Sequence, residues 1–283
     1  MELKKQGETE FPVGRFTGYL ESADPRVRVA AVKKAVTLGE KKVVAFLEKK
    51  MKEEADDWVL ATLLMALGEL GDKRVSGSIA PFLKRRDPRL RSVAIVSMSE
   101  LKDDSVFPLL TPALLDEDTD VAEVAYMSLK RLTEDDLTEY LSNMCDAKKQ
   151  EHADRGVQLL LRLKNPKALM KQLDLLSRFA DKVILLKLAN NLGESGSREI
   201  LSALIEREDS MVLPKNEWTQ KIRSALCKNL GVAEEEIRRE LAERKAERKA
   251  SRQQKAAVAA AEAAEADAQG GVVGRLKGMF WKK

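Results

Sequence analysis

The chain has 283 residues, of which 50 are basic and 46 acidic, with one histidine and two cysteines. Zinc clusters and sites built from several histidines are excluded, because too few ligands of these types are present. An apolar fraction of 44% is typical of a folded protein, while 15 glycines and 8 prolines are too few for a loop-rich β-sandwich. The composition therefore favours an all-α protein and gives no indication of a metal or other cofactor.

Four aspartates recur in the first half of the chain, at spacings of 32, 31 and 31 residues: Asp24, Asp56, Asp87 and Asp118. Apolar residues follow each aspartate at offsets of 3, 7 and 14, which is the spacing of one face of a helix. Further apolar residues at intervals of four predict another amphipathic helix, which lies between this one and the next aspartate. Each unit of about 31 residues is therefore predicted to be a helical hairpin.

The residues around each aspartate are those that begin and end helices. An aspartate carboxylate at the N-cap accepts backbone N–H groups, and Pro25 and Pro88 follow at the first helical position, where no N–H is needed. Gly39 and Gly71 suit helix ends that require a positive φ. We therefore predict that each aspartate caps the second helix of its hairpin.

These segments resemble a known family. Residues 24–31 (DPRVRVAA) and 87–94 (DPRLRSVA) are similar to the HEAT repeat signature, and residues 67–72 (LGELGD) resemble the short HEAT subtype named after the phycocyanobilin lyases. The resemblance implies a superhelix of antiparallel helix pairs that usually binds proteins. Because the family also contains lyase subunits, a metal hydroxylase and DNA repair glycosylases, the resemblance is specific for the fold rather than for an activity.

The repeat pattern weakens beyond Leu132, although Asn216 still occupies an N-cap position fourteen residues before Leu230. We predict an α-solenoid of about seven hairpins, followed by a long charged helix and a short amphipathic helix. The predicted segments are a flexible arm at 1–10, the solenoid at 11–232, a charged and alanine-rich spacer at 233–269, and the amphipathic helix at 270–283.

The residues that could support catalysis are few and scattered. His152 is predicted to be a solvated or capping residue, and Cys145 and Cys227 are predicted to be reduced, packed thiols of a cytosolic protein. No secretory signal and no apolar run of membrane-spanning length is apparent. We expect no catalytic residue and no enzyme, although a lyase-type subunit remains an alternative.

Arginines near the repeat aspartates are candidates for binding a protein partner, namely Arg26, Arg28, Arg89 and Arg91. The same arginines could instead pair with acidic residues of neighbouring repeats. A further alternative is a nucleic-acid-binding protein that uses this basic ridge and the basic helix at 238–255. We favour it less, because residues 1–232 are nearly balanced in charge and few aromatics are available to stack on bases.

The spacer changes abruptly in composition from Ala233, where Glu, Arg, Lys and Ala dominate. It is predicted to be a helix without an apolar face, supported by intrahelical pairs such as Glu240–Arg244. Gly270 and Gly271 are expected to interrupt this helix.

The last residues predict an amphipathic helix that lies in a membrane interface. The residues expected to insert into lipid are Val272, Val273, Leu276, Met279, Phe280 and Trp281, and those expected to contact anionic headgroups are Arg275, Lys277, Lys282 and Lys283. The segment resembles the C-terminal membrane-targeting helices of bacterial division-site ATPases and their actin-like partners. Docking into a partner's groove or packing back on the solenoid are the alternatives.

Together these features predict a non-enzymatic HEAT-repeat scaffold with two binding surfaces. The solenoid is expected to bind a protein partner, and the C-terminal helix is expected to bind anionic lipid. The protein would then be cytoplasmic and peripherally associated with the inner face of the cytoplasmic membrane.

Overall fold

The computed structural model describes residues 13–39, 41–179 and 181–280, with side chains described as far as residue 259. Within these ranges the chain is helical and contains no strand, as the sequence predicted. The helices are α1 (Val13–Leu20), α2 (Pro25–Thr37), α3 (Val44–Glu53), α4 (Asp57–Leu70), α5 (Ser76–Ile79), α6 (Pro88–Glu100), α7 (Phe107–Leu110), α8 (Thr119–Leu132), α9 (Glu134–Met144), α10 (Gln150–Leu160), α11 (Pro166–Leu175), α12 (Lys182–Glu194), α13 (Arg198–Asp209), α14 (Glu217–Leu230) and α15 (Glu234–Phe280).

Two compact units divide the chain after Arg162. The first unit contains five consecutive hairpins, from α1–α2 to α9–α10. Its second helices stack in order, since α2 packs on α4, α4 on α6 and α6 on α8. The apolar face predicted from offsets 3, 7 and 14 is buried in this stack, as Val59, Leu63 and Leu70 of α4 illustrate.

The second unit contains two further hairpins, α11–α12 and α13–α14. Here α12 packs on α14, while α13 packs on α11 and on the start of α15. The described residues therefore form seven helical hairpins, which is the number that the sequence predicted. The first helices of these hairpins, α11 and α13, pack on each other, and the start of α15 packs on α13. The start of α15 therefore occupies the position that the first helix of a further repeat would have.

The predicted capping residues are confirmed. Asp24, Asp56, Asp87 and Asp118 are the N-caps of α2, α4, α6 and α8, and each carboxylate accepts backbone N–H groups of the first helical turn. Asn216 caps α14 in a reciprocal arrangement with Thr219. Gly39 and Gly71 have φ values of 66° and 69°, a conformation that residues with a Cβ adopt at a cost.

The first helices of the third and fourth hairpins are shorter than predicted. Apolar spacing from Val75 to Leu83 indicated one helix, but the structure has the four-residue α5 between 3-10 segments Lys73–Val75 and Ala80–Lys84. The fourth hairpin is similar, with the 3-10 segment Thr111–Leu115 after α7. Pro81 and Pro112 explain the interruption, because a proline has no N–H for an α-helical hydrogen bond and its ring crowds the preceding turn.

The expected break at Gly270 and Gly271 was wrong, because both residues lie inside α15, which is helical as far as Phe280. Glycine disfavours a helix by about 1 kcal/mol relative to alanine but does not forbid it. The alanine-rich residues before the pair are strong helix formers, and a helix propagates more easily than it nucleates.

Close contact between α4 and α6 depends on Gly68. A Cβ added to this glycine would lie 2.5 Å from the carbonyl oxygen and 2.7 Å from the Cα of Ser97 on α6. Real Cβ atoms do not approach backbone so closely, so the two helices can pack at this distance only where Gly68 has no side chain.

We therefore expect Gly68→Ala to lower the free energy of unfolding by about 1–3 kcal/mol, because the added methyl group forces α4 and α6 apart. Urea denaturation monitored by circular dichroism measures this loss. The control is Gly77→Ala in α5, where the added Cβ meets nothing within 4 Å. That variant should be as stable as the parent or slightly more so, and equal losses in the two variants would contradict the argument.

Candidate functional site

The second helices α4, α6 and α8 expose equivalent residues, because their N-caps are 31 residues apart. Residues at 6 and 9 positions after each N-cap form two adjacent, largely apolar rows, which we call the repeat face: Thr62, Val93 and Val124 in the first row, and Met65, Val96 and Met127 in the second. Met65 is 54% exposed and Met127 is 55% exposed. The repeat face is therefore an apolar strip on the surface across three packed helices.

Shallow grooves separate the helices of the repeat face. The groove between α6 and α8 has a volume of about 660 Å³ and is lined by Val96, Val124 and Met127 together with charged side chains. A smaller groove of about 300 Å³ lies between α4 and α6, beside Met65 and Val96. Both grooves are open to solvent and can accept side chains from another molecule.

Polar residues border the repeat face on both sides. At 13 positions after the N-caps, Glu69, Glu100 and Arg131 line the grooves, and Arg131 bonds Glu100 at 2.6 Å. The opposite border, at 2 positions after the N-caps, consists of the exposed Trp58, Arg89 and Asp120. The acidic side chain of Glu69 and the basic side chain of Arg89 thus lie on opposite borders.

The four arginines predicted to bind a partner fall into two classes. Arg26 and Arg89 are exposed at the start of α2 and α6. Arg28 and Arg91 are buried, with 9% and 7% of their surfaces exposed. The prediction that all four contact a partner needs correction, because these two guanidinium groups are already used inside the protein.

Each buried arginine connects two consecutive hairpins. Arg28 forms two hydrogen bonds of 3.0 Å with the carboxylate of Glu54 and donates to the backbone carbonyls of Ser22 and Ala23. Arg91 repeats the arrangement with Asp116, at 2.7 and 2.9 Å, and with two carbonyls of its preceding loop. The bound carboxylates lie two residues before the next N-cap, so these arginines fix one hairpin against the next.

The carboxylate of Glu54 is stabilised in its charged form. Burial acts to raise the pKa of Glu54, but the backbone N–H of Asp56 and the guanidinium of Arg28 more than offset this effect and hold the pKa below its ordinary 4.5. Asp116 likewise accepts the backbone N–H of Asp118 at 2.9 Å, beside its pair with Arg91.

At the end of the first unit, the guanidinium of Arg162 lies 4.0 Å from the centre of the Tyr126 ring and pairs with Glu123 at 2.6 Å. The bond from Arg162 holds the pKa of Glu123 below its usual range, against the opposing effect of burial. These contacts fix Glu123, which is one of the side chains lining the larger groove.

The start of α15 is fastened to the second unit, which the sequence did not predict. Ile237 and Leu241 are buried, so the helix does have an apolar side in its first two turns. Arg238 bonds Asp209 at 2.9 Å, and Arg198 bonds Glu236 and Glu240. The expected pair between Glu240 and Arg244 is therefore replaced by a contact between helices.

The residues predicted to bind membrane lie at the far end of α15. Residues 272–280 are helical in backbone, but their side chains lie outside the description, and Trp281, Lys282 and Lys283 lie outside the described residues altogether. None of the described helices is both long and apolar enough to span a membrane.

The candidates for redox or metal chemistry are dispersed. Cys145 is buried and Cys227 is half-buried, and burial raises the pKa of Cys227. His152 is half-buried in α10. No group of three or more histidine, cysteine, aspartate or glutamate side chains suited to a metal occurs among the residues whose side chains are described.

The repeating hairpins agree with a sequence comparison. Residues 44–130 match the family of HEAT repeats. This matched range, which we call the HEAT region, covers α4, α6 and α8 as far as Lys130, and it contains all six residues of the repeat face. No curated protein matches the sequence.

Several solved structures are similar to this chain at low sequence identity and with TM-scores below 0.5. The complex of CpcE and CpcF of phycocyanin lyase from Nostoc sp. PCC7120 is 16% identical, with 81% of this chain and 98% of that chain covered and a TM-score of 0.42. Human deoxyhypusine hydroxylase is 16% identical, with 77% and 84% covered and a TM-score of 0.38. YibA of Escherichia coli is 13% identical, with 79% and 93% covered and a TM-score of 0.41.

The repeat face was missed by the sequence analysis, although the signal was present. Offsets 6 and 9 after each aspartate lie outside the buried face defined by offsets 3, 7 and 14. Exposed helix positions are ordinarily polar, so Val93, Val96, Val124 and Met127 at those offsets could have been recognised as an unexplained apolar surface.

We expect Arg91→Ala to lower the free energy of unfolding by about 3 kcal/mol, because the largely buried carboxylate of Asp116 would lose its partner. Thermal or urea denaturation of the full chain measures the loss. Arg89→Ala is the matched control: this arginine lies two residues away but is exposed, so its removal should change stability by less than about 0.5 kcal/mol.

The lowered pKa of Glu54 gives a pH prediction. Because its folded pKa lies below its unfolded pKa, the pair with Arg28 stabilises the protein above about pH 4.5, and this stability is lost as the pH falls through the folded pKa. Glu54→Gln should therefore be less stable at neutral pH and should lose less stability on acidification than the parent. The exposed Glu53→Gln variant should follow the parent's pH curve, and identical curves for all three proteins would contradict the assignment.

Proposed function

We propose that the chain is a non-enzymatic scaffold that binds a protein partner on the repeat face and attaches peripherally to the cytoplasmic face of a membrane through residues 272–283. One observation carries the partner-binding part of this proposal: two neighbouring apolar rows cross three helices on the surface of the HEAT region. Exposed apolar surface of this kind is characteristic of interaction sites.

The occupant that we propose for the repeat face is an amphipathic helix of the partner protein. Packed helices lie about 8–10 Å apart, so Met65, Val96 and Met127 recur at that interval across the face. An α-helix rises about 10 Å in seven residues, which matches the same interval. A partner helix lying across α4, α6 and α8, with an apolar side chain every seven residues, would thus place one of these side chains beside each of the three residues.

The charges at the borders favour one type of partner helix. One border carries Glu69 and the paired Glu100 and Arg131, and the other carries Trp58, Arg89 and Asp120. A partner helix with a basic residue facing Glu69 and an acidic residue facing Arg89 complements the borders at α4 and α6. Charge complementarity at the rim of an interface contributes mainly to orientation and to the association rate.

The membrane part of the proposal rests on the composition of residues 272–283 and on the exposure of α15. All residues of α15 from 242 to 259 are exposed, so the helix extends from the repeats after Leu241. From Leu241 to Phe280 a continuous helix measures about 60 Å. Such a helix would hold the C-terminal residues well away from α13 and available to a lipid surface.

The partner site can be tested with a library of amphipathic helical peptides selected against the full chain. We expect selected peptides to carry apolar residues at intervals of three, four and seven, and to bind Val96→Glu at least tenfold more weakly, because a charge would enter the centre of the repeat face. The control is Val183→Glu, which changes a valine that is 61% exposed in the second unit and should leave binding unchanged. The proposal would be contradicted if neither substitution changed the affinity of the selected peptides.

Membrane attachment can be tested by sedimentation with vesicles of phosphatidylcholine, with and without phosphatidylserine. We expect the full chain to sediment with the anionic vesicles, whereas a chain ending at Gln269 and the Phe280→Glu variant stay largely in solution. The Phe46→Glu variant is the control, because Phe46 is also an exposed phenylalanine, 40% accessible, but lies in α3. Failure of the full chain to sediment would contradict membrane attachment.

A further inference from the structure

The exposed part of α15 separates its charges by side. Six basic residues share one side of the helix, along two adjacent lines at helical spacing, and we call them the basic stripe: Arg244, Lys245, Arg248, Lys249, Arg252 and Lys255. Glu243 and Glu247 lie toward the other side. All six basic residues are exposed, and none has an ion pair within the part of the chain whose side chains are described.

This arrangement is unfavourable for a helix that faces only solvent. Arg244 and Arg248, Arg248 and Arg252, and Lys245 and Lys249 are like-charged pairs four residues apart, and each such pair destabilises a helix. Mixing acids and bases at this spacing would remove the repulsion. A polyanionic surface beside the stripe would compensate the repulsion directly.

The stripe lies on the side of α15 that faces the end of α13. Arg238 is bound to Asp209 at 2.9 Å, and Lys245, Lys249 and Arg252 follow Arg238 at intervals of 7, 11 and 14 residues, which keeps them on the same line of the helix. The loop between α13 and α14 begins directly after Asp209. This loop and the basic stripe are therefore on the same side of α15.

Two apolar residues stand at the tip of that loop. Met211 is 90% exposed and Val212 is 61% exposed. The turn is ordered, because the N–H groups of Val212 and Leu213 donate to the carbonyl of Arg207 and Leu213 is buried beneath it. Met211 has a φ of 59°, a conformation for which glycine is the usual residue. An ordered turn thus holds a large apolar side chain outward at a position that favours glycine.

Exposed apolar side chains on the same side of a helix as an unpaired basic surface are a combination that suits the interface of an anionic bilayer. We infer that the basic stripe and the Met211–Val212 loop form a second lipid-binding surface, which contacts anionic headgroups through the stripe and inserts Met211 and Val212 between them. This inference rests on the membrane attachment proposed above but uses different residues. Nucleic acid is the competing polyanion, and the apolar loop favours lipid over it.

The test uses the full chain and vesicles of phosphatidylcholine with and without phosphatidylserine. The stripe variant combines Lys245→Gln, Lys249→Gln and Arg252→Gln, and we expect it to bind anionic vesicles about a hundredfold more weakly, since each basic residue near such a surface contributes about a fivefold factor. Its control removes the same charge elsewhere, through Lys148→Gln, Lys187→Gln and Lys228→Gln, and should bind like the parent.

The loop is tested separately with Met211→Asn, because asparagine tolerates a positive φ and the turn should fold normally. We expect binding to anionic vesicles to fall about tenfold. The control Val183→Asn, which changes a valine that is 61% exposed in α12, should have no effect. Parental binding by both the stripe and loop variants would overturn the inference. Loss of duplex DNA binding in the stripe variant, with vesicle binding unchanged, would also overturn it.

Phe280→Glu separates this inference from the C-terminal anchor. If Phe280→Glu alone abolishes vesicle binding, the C-terminal anchor is supported and the second lipid-binding surface is contradicted. If the stripe and loop variants lose vesicle binding while Phe280→Glu does not, the second surface is supported and the anchor is contradicted. If the parent binds neither kind of vesicle, both proposals fail.

Discussion

The register between consecutive second helices is the constraint on which the repeat face depends. It is set where each helix begins, by an aspartate that caps the first turn and, at two of the junctions, by a buried arginine that binds the carboxylate two residues before the next cap. Because the caps recur every 31 or 32 residues, equal offsets in different repeats become neighbours in space. The exposed rows follow from that register, and Gly68 allows the helices that carry them to approach closely.

The second unit uses charge in a different way. In the first unit, each buried arginine pair joins two consecutive hairpins. At the start of α15, ionic contacts flank an apolar pair on both sides, with Arg198 on one side of Ile237 and Leu241 and Arg238 on the other. Partly exposed ion pairs contribute little energy individually, but they specify how a helix is rotated about its own axis. That rotation determines which side of the exposed part of α15 faces the loop at Met211.

Sequence periodicity predicted the fold well because caps and buried faces are local properties. The aspartates, the following prolines and the apolar offsets predicted the hairpins as far as Leu132 without any knowledge of contacts between them. Weaker apolar spacing beyond Leu132 brought the predicted number to about seven. Periodicity failed where the outcome depends on neighbours: Arg28 and Arg91 look like surface residues until Glu54 and Asp116 are known to lie beside them. The spacer at 233–269 was predicted to have no apolar face, because its buried residues Ile237 and Leu241 lie among charged residues in the sequence. The membrane-binding residues at 272–283 stay a prediction from composition and helical spacing.

Helix α15 ends the stack of repeats as well as extending from it. A helical repeat leaves an apolar surface at each end of the array, and end repeats normally need a polar outer face to stay soluble. Ile237 and Leu241 cover that surface of α13, and from residue 242 onward every side chain as far as 259 is exposed. The helix therefore changes from buried to fully exposed within one turn after Leu241. A chain cut at the sequence-derived boundary of residue 232 would therefore lose its own end cap, and its open repeat edge would favour end-to-end association into aggregates during expression.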